Sequence, residues 1–192
     1  MTQCKEAVNK PLESDERANE EVALIEKLKA GDEEAYNLLI EKYSDRLFSV
    51  CKSMLGNSTD AEDAVQEILC RVYRGIAQLR GERLIPWILS ITHNHCLSVL
   101  TRKNRNPEVP DTFELELPDS KDYTENQVSD ELLLCLSSLS PNEREVTLLR
   151  VIEKLEYSEI AKITGYSEGS LRNVLARALK KLRQEVLKNG LR

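Results

Sequence analysis

The chain has 192 residues, a net charge of −6, 41% hydrophobic residues and only 5% aromatics. That suffices for one domain or two small ones with aliphatic cores; seven glycines, six prolines and few alternating β-branched runs argue against an extensive sheet. No run reaches the roughly 18 apolar residues of a membrane span, and the first residues, MTQCKEAVNKPLESDERANEE, lack a signal-peptide core, so a cytoplasmic protein without membrane insertion is expected.

Residues 1–20 are polar and mixed in charge and read as a loose extension. Val22, Ile25 and Leu28 then mark a short helix closed by Gly31. Asp32 can cap a second helix that turns Ala35, Leu38, Leu39, Tyr43, Leu47, Val50, Cys51 and Leu55 inward and stops at Gly56-Asn57. A third helix is expected to start on a capping box of Thr59 and Glu62. Its apolar side is Ala61, Ala64, Val65, Ile68, Leu69, Val72 and Tyr73; its outer side carries Asp60, Asp63, Gln66, Glu67, Arg71 and Arg74. Taken alone, that outer side is a solvated face.

From Arg71 to Arg105 seven basic residues, among them Arg80, Arg83, Arg102 and Lys103, oppose only Glu82. The single tryptophan, Trp87, opens a helix that also carries Asn94. A basic surface beside planar side chains can hold single-stranded DNA by phosphate contacts and base stacking. The indole can equally be core, or pack with one face and shape a groove with the other. His93, His95 and Cys96 cluster on this helix, but only His93 and Cys96 share a face and no further ligand pair lies near, so no metal or other cofactor is expected. The five cysteines include no CxxC pair and fit reduced thiols used as small apolar residues, with Cys51 and Cys70 on the apolar sides of their helices.

Residues 106–126 hold three prolines and seven acids against one lysine, an acidic and flexible linker. The alternating FELEL within it is too short for a sheet. Beyond about Val128, Ser140-Pro141-Asn142-Glu143 is a second capping box, with Val146, Leu149 and Ile152 facing inward. The fold expected is all-α: units at 21–105 and 128–192 joined by the linker at 106–127.

The stretch from Leu155 to Arg183 spells two helices around a turn at Gly165, with Ser167 as cap of the second. Leu171, Leu175, Ala178, Leu179 and Leu182 make its inward stripe, and Arg172, Asn173, Arg177, Lys180, Lys181 and Arg183 fill the other faces. Such a helix fits the major groove, where Arg and Asn read base edges and Lys holds phosphates. A merely solvated basic face is the plainer alternative. The charge partition favours DNA: from Gly169 onward seven Lys or Arg oppose one acid inside an acidic chain.

Three motifs in order, DAEDAVQEILCRVYRGI at 60–76, RGERLIPWILSITHNHCLSVLTRK at 80–103 and the stretch at 139–183, resemble a bacterial RNA polymerase sigma factor of the extracytoplasmic-function (ECF) type. The resemblance covers about residues 22–104 and 128–187, with no room between for the middle domain of larger sigma factors. It implies an initiation factor rather than an enzyme, one that binds core RNA polymerase and promoter DNA and is held by an anti-sigma factor. Asp60, Asp63, Gln66 and Glu67 match the helix that docks on the β′ clamp; the β flap is the other polymerase contact implied. Arg80, Arg83, Trp87, Asn94, Arg102 and Lys103 match the segment that opens the minus-ten element. Ser170, Arg172, Asn173, Arg177, Lys180 and Lys181 match the reader of the minus-thirty-five element. The linker would thread the channel that later holds RNA, and the protein would be a monomer outside its complexes. Departures are Leu84-Ile85-Pro86 where an aromatic often precedes the tryptophan, His93, His95 and Ser98 at positions usually basic, apolar and acidic, Val174 and Leu179 where Arg is frequent, and Glu168 in place of a small apolar residue. The alternative is a freestanding helix-turn-helix regulator that does not bind polymerase.

Overall fold

A computed structural model of the chain describes residues 12–80, 83–105 and 136–188, and all regular structure among them is helical. The acidic linker, its FELEL segment and the first eleven residues lie outside the described residues. Helix α1 (Leu12–Lys29) begins well before the expected start near Glu21. No glycine or proline interrupts residues 12–30, so once a helix forms at Val22, Ile25 and Leu28 each added residue gains a backbone bond.

Helix α2 (Glu33–Leu55) starts where expected: the Asp32 carboxylate accepts the Ala35 N–H at 3.0 Å, and Glu33 and Glu34 lie at the positive end of the helix dipole. It ends on Gly56 at φ 88°, a left-handed conformation that costs glycine nothing. Its buried stripe runs Ala35, Leu39, Tyr43, Leu47, Val50, Met54. Leu38, expected inward, is half-exposed because it sits about 100° round the helix from Leu39.

Helix α3 (Ser58–Gly75) follows at once, and its cap is Asn57, not Thr59. The Asn57 side-chain oxygen accepts the Asp60 N–H at 2.8 Å, so Thr59 already lies inside the helix and its box with Glu62 does not form. Asn57 is extended, directly after left-handed Gly56, and two residues thus make the whole corner. Ala61, Ala64, Val65, Ile68 and Val72 are buried as expected. Cys70 and Tyr73 are exposed instead of inward; the Tyr73 and Tyr36 rings stand edge to face, centroids 5.0 Å apart.

A short turn of tighter helix (Ile76–Gln78) leads to α4 (Leu84–Arg105), which buries Leu84, Ile88, Leu89, Thr92, Cys96 and Val99. Cys96 lies against Cys51 of α2, sulfurs 3.8 Å apart, both as small core residues. The hydrogen bond between them, followed by burial, pushes the Cys51 thiol well above its ordinary pKa, so it stays protonated.

In the C-terminal unit Leu136 and Leu139 are buried. Ser140 and Glu143 form the expected capping box on α5 (Pro141–Thr147). The helix then widens over Leu148–Ile152, where the Glu153 N–H reaches the Leu148 carbonyl at 3.0 Å, and Lys154 turns the chain at φ 55°. Helices α6 (Tyr157–Thr164) and α7 (Glu168–Lys188) follow around Gly165 at φ 75°.

The two units share a core. Val146, Leu149, Leu155, Ile160, Ile163, Leu171 and Leu175 belong to one continuous apolar cluster with Leu39, Cys51, Ile68 and Ile88. The sequence implies two separate units; among the described residues α5 packs on α2 and α6 on α4. Arg144 sits in this joint, buried, and donates to the carbonyls of Leu136 and Leu139 at 3.0 Å each and to that of Ser53 at the end of α2. Burial lowers its pKa to about 10, still well charged at neutral pH.

Candidate nucleic-acid and protein interfaces

Three surfaces carry the residues singled out above. On α3, Asp63, Gln66 and Glu67 point to solvent because Ala64, Val65 and Ile68 take the other side of the helix into the core. Asp60 is less free: its carboxylate accepts from Lys103 of α4 and from the Asn57 amide. Burial raises the Asp60 carboxyl, but the bonds from Lys103 and Asn57 outweigh it and leave the pKa below the usual value. Glu67 pairs with Arg71 one turn on, 2.9 Å apart, and that bond lowers its carboxyl too. Between α3 and α4 lies a groove of about 600 Å³, lined on one side by Asp60, Asp63 and Glu67 and on the other by Arg102, Ser98 and His95. The His95 ring is buried with Nδ1 unbonded; burial first, then Arg71, hold its pKa below the ordinary value, against the opposing pull of Glu67. Among the described residues no group of His, Cys, Asp or Glu could hold a metal ion.

The second surface runs along the start and exposed side of α4. Trp87 is half-buried: it packs on the core and lies over Gly75 at the end of α3. A Cβ at Gly75 would come within 3.3 Å of the indole, so the absent side chain is what seats the ring. Asn94 is exposed two turns along the same side, about 10 Å away along the axis. Arg80 and Arg102 are exposed; Lys103 is tied to Asp60, and Arg83 donates to Glu159 of α6 at 3.1 Å. A cleft of about 350 Å³ separates this face from α6, bounded by Arg83, Trp87 and Ser90 and by Glu159 and Lys162. The planar side chain thus both packs and shapes a groove.

The third surface is α7. The Ser167 hydroxyl accepts the Ser170 N–H at 3.2 Å, as a cap should, and Leu171, Leu175 and Ala178 are buried. Ser170, Arg172, Asn173, Arg177, Lys180 and Lys181 are all exposed. Leu179, expected in the inward stripe, is also exposed, since Leu175, Ala178 and Leu182 complete the buried side without it. Arg172 is held by Glu168 at 2.8 Å and lies over the Tyr157 ring, 4.9 Å from its centroid. Lys181 pairs with Glu143 at 2.7 Å. Asn173, Arg177 and Lys180 stand clear among the described residues, with the open edge of the helix to themselves. Glu168 therefore serves as a partner for Arg172 as well as lying at the positive helix end.

Sequence reasoning missed Gly75, Tyr157 and Arg144. Gly75 and Arg144 show their roles only through contacts with distant residues. Tyr157 had a faint signal, as an aromatic opening the helix before the turn.

The described residues are helical throughout and present an outward acidic helix, a tryptophan-bearing basic helix and a helix-turn-helix. Known proteins share this organisation. Residues 39–106 match the family described as Sigma-70 region 2, and residues 129–182 match Sigma-70, region 4. An ECF RNA polymerase sigma factor, SigE of Mycolicibacterium smegmatis, is 30% identical over 83% of this chain and 66% of its own length. The ECF RNA polymerase sigma-E factor of Escherichia coli is 28% identical over 81% of this chain and 88% of its own. The chain spans 66% and 63% of the lengths of SigE and of BldN from Streptomyces coelicolor. Two solved structures share the fold: CnrH in complex with the cytosolic domain of CnrY (TM-score 0.60, 17% identity, 90% of this chain and 99% of that one), and the sigma factor RpoE in complex with the anti-sigma factor NepR from Bartonella quintana (TM-score 0.66, 22% identity, 80% of this chain and 96% of that one). The chain belongs to the sigma-70 family of RNA polymerase sigma factors, in its ECF branch.

Proposed function

We propose that this chain binds core RNA polymerase, directs it to particular promoters and helps open the DNA there, as an initiation factor rather than an enzyme. In this reading residues 21–105 form the polymerase-binding and melting unit and residues 128–192 the unit that reads the minus-thirty-five element. Asp63, Gln66 and Glu67, with Asp60 at the rim, offer their acidic face to the β′ clamp, and the C-terminal unit meets the β flap. Arg80, Arg83, Trp87, Asn94, Arg102 and Lys103 hold the separated minus-ten strand. Opening duplex costs about 1.4 kcal/mol per stacked step, which stacking on an indole and hydrogen bonds from Asn94 offset in part. Asn173 and Arg177 read base edges, flanked by Ser170 and Arg172, while Lys180 and Lys181 hold phosphates.

The observation that carries the reading is the outward acidic row of α3, whose opposite face is fully committed to the core. An anti-sigma factor would keep the protein idle by covering these faces. The factor acts in the cytoplasm, as a monomer until it joins polymerase; no helix among the described residues is long and apolar enough to cross a membrane.

The test is a titration of the full labelled chain into core RNA polymerase at near-physiological salt, with Asp63→Arg beside it. Tight binding by the wild type and loss of it in Asp63→Arg is expected. A folded wild type that ignores polymerase yet binds duplex DNA would overturn the reading in favour of a freestanding regulator.

A further inference from the structure

Helices α2, α3, α5 and α7 each open on a cap drawn from their own sequence. Asp32, Asn57, Ser140 and Ser167 accept the backbone N–H groups of Ala35, Asp60, Glu143 and Ser170, three residues on in every case. Helix α4 is capped differently. The residue before it is Arg83, whose guanidinium only donates and so cannot accept an N–H. The acceptor comes from 63 positions away: Oε1 of Glu21 on α1 takes the Leu84 N–H at 2.6 Å.

Packing delivers that carboxylate. Glu21 lies on the same side of α1 as Leu24, Ile25 and Leu28, at spacings of three, four and seven, and is the one charged residue of that stripe. Leu24 and Leu28 are buried, and Glu21 itself is half-buried. Helix α1 packs on α2 and on the tight turn Ile76–Gln78 that leads into α4. The negative charge of Glu21 therefore stands at the positive end of the α4 dipole.

The first turn of α4 depends on this contact. The Leu84 side chain is fully buried, so its N–H can reach water only if the turn lifts from the core. Pro86 has no N–H to contribute. The Trp87 N–H meets the Arg83 carbonyl at 3.4 Å, a long backbone bond. Beyond that bond, the tryptophan is set by its seat over Gly75 and by the capped turn just before it.

We propose that Glu21 is a positioning residue for promoter opening: by bonding the Leu84 N–H it holds the first turn of α4, and with it Trp87, in the pose that receives the separated strand. Glu21 acts through Leu84 and not by touching DNA. The inference rests on the proposed melting role of α4 for its consequence, but not for the cap itself.

The experiment compares Glu21→Met, which has no acceptor, with Glu21→Gln, which keeps an oxygen at the same reach. Opening is followed with holoenzyme made from the full chain and core polymerase. The probe is a promoter selected by the wild-type holoenzyme from a randomised library, with 2-aminopurine in its minus-ten element. Glu21→Met should slow opening about fivefold, the equilibrium factor of a typical cap, with polymerase affinity and minus-thirty-five binding unchanged. Glu21→Gln should open at close to the wild-type rate. In the free chain Trp87 is the single tryptophan; in Glu21→Met its emission should shift to the red and the Leu84 amide should exchange faster. Wild-type opening by well-folded Glu21→Met overturns the proposal. So does Glu21→Gln as slow as Glu21→Met, or a loss of polymerase affinity equal to the loss of opening, which marks a role in stability alone. Glu21→Asp, one methylene shorter and out of bonding reach, is the milder variant if Glu21→Met loses helix content, and it must slow opening too. A wild type that opens no promoter counts against the proposed function instead. The positioning is then judged on the free chain, where unchanged Leu84 exchange and Trp87 emission in Glu21→Met refute it.

Discussion

The two surfaces assigned to DNA are built in opposite ways. On α7 the reading residues come from one helix, within about four turns, and Asn173, Arg177 and Lys180 are unpaired among the described residues. On the α4 side Arg83 is set by Glu159 of α6, Lys103 by Asp60 of α3 and the Trp87 ring by Gly75, while Arg80 and Arg102 are exposed. A helix-turn-helix is local, because one helical period both buries its leucines and exposes its cations. The α4 surface is assembled, and two of its cations, Arg83 and Lys103, are already paired. The first should therefore bind DNA as an autonomous patch, and the second only after its internal pairs are exchanged for phosphates.

Substitutions can break this contrast, the largest effect coming from the joint. Replacing Arg144 with Met should destabilise the folded chain by about 3 kcal/mol or more, since buried carbonyls of Ser53, Leu136 and Leu139 lose a donor. Urea unfolding measures this, and a change below 1 kcal/mol would mean the joint is loosely held. Arg177→Ala should cost about 1–3 kcal/mol of promoter affinity in the holoenzyme with stability unchanged. An equal effect from Lys103→Ala would erase the distinction between open and pre-paired cations. Gly75→Ala should displace the indole, seen as a shift in Trp87 fluorescence, and slow promoter opening while leaving minus-thirty-five binding intact.

Two smaller effects concern conformation and protonation. Above the unfolded pKa of about 6.5, His95 is neutral in both states and contributes nothing to pH dependence. As pH falls below it, the unfolded chain takes up a proton that the buried ring resists, so stability declines until the native pKa is passed. His95→Gln should flatten that decline, read as urea midpoints at pH 7.5 and 5.5. Lys154→Gly should change stability least, by about 1 kcal/mol at most and upward, because glycine accepts φ 55° without strain.

How much was legible beforehand follows the same division. The caps at Asp32, Ser140 and Ser167 and the stops at Gly56 and Gly165 were readable, because a cap is a contact between residues three apart in sequence. The start of α3 was misread by two residues, since Asn57 looked like the end of one helix and is also the start of the next. Leu38, Tyr73 and Leu179 were assigned inward because a helical period tolerates an apolar residue at the edge of its stripe; neighbouring helices decide whether that edge is covered.

The sequence by itself determined the all-helical build, the acidic row on α3, the reading helix and the family, all of which depend on local spacing and residue type. Only the tertiary structure decided that Glu159 holds Arg83, that Asp60 holds Lys103, that Gly75 seats the tryptophan, and that the two units share one core. The reason is range. These contacts join residues from 12 to 76 positions apart, and a periodic pattern shows which face of a helix is apolar without showing what it meets.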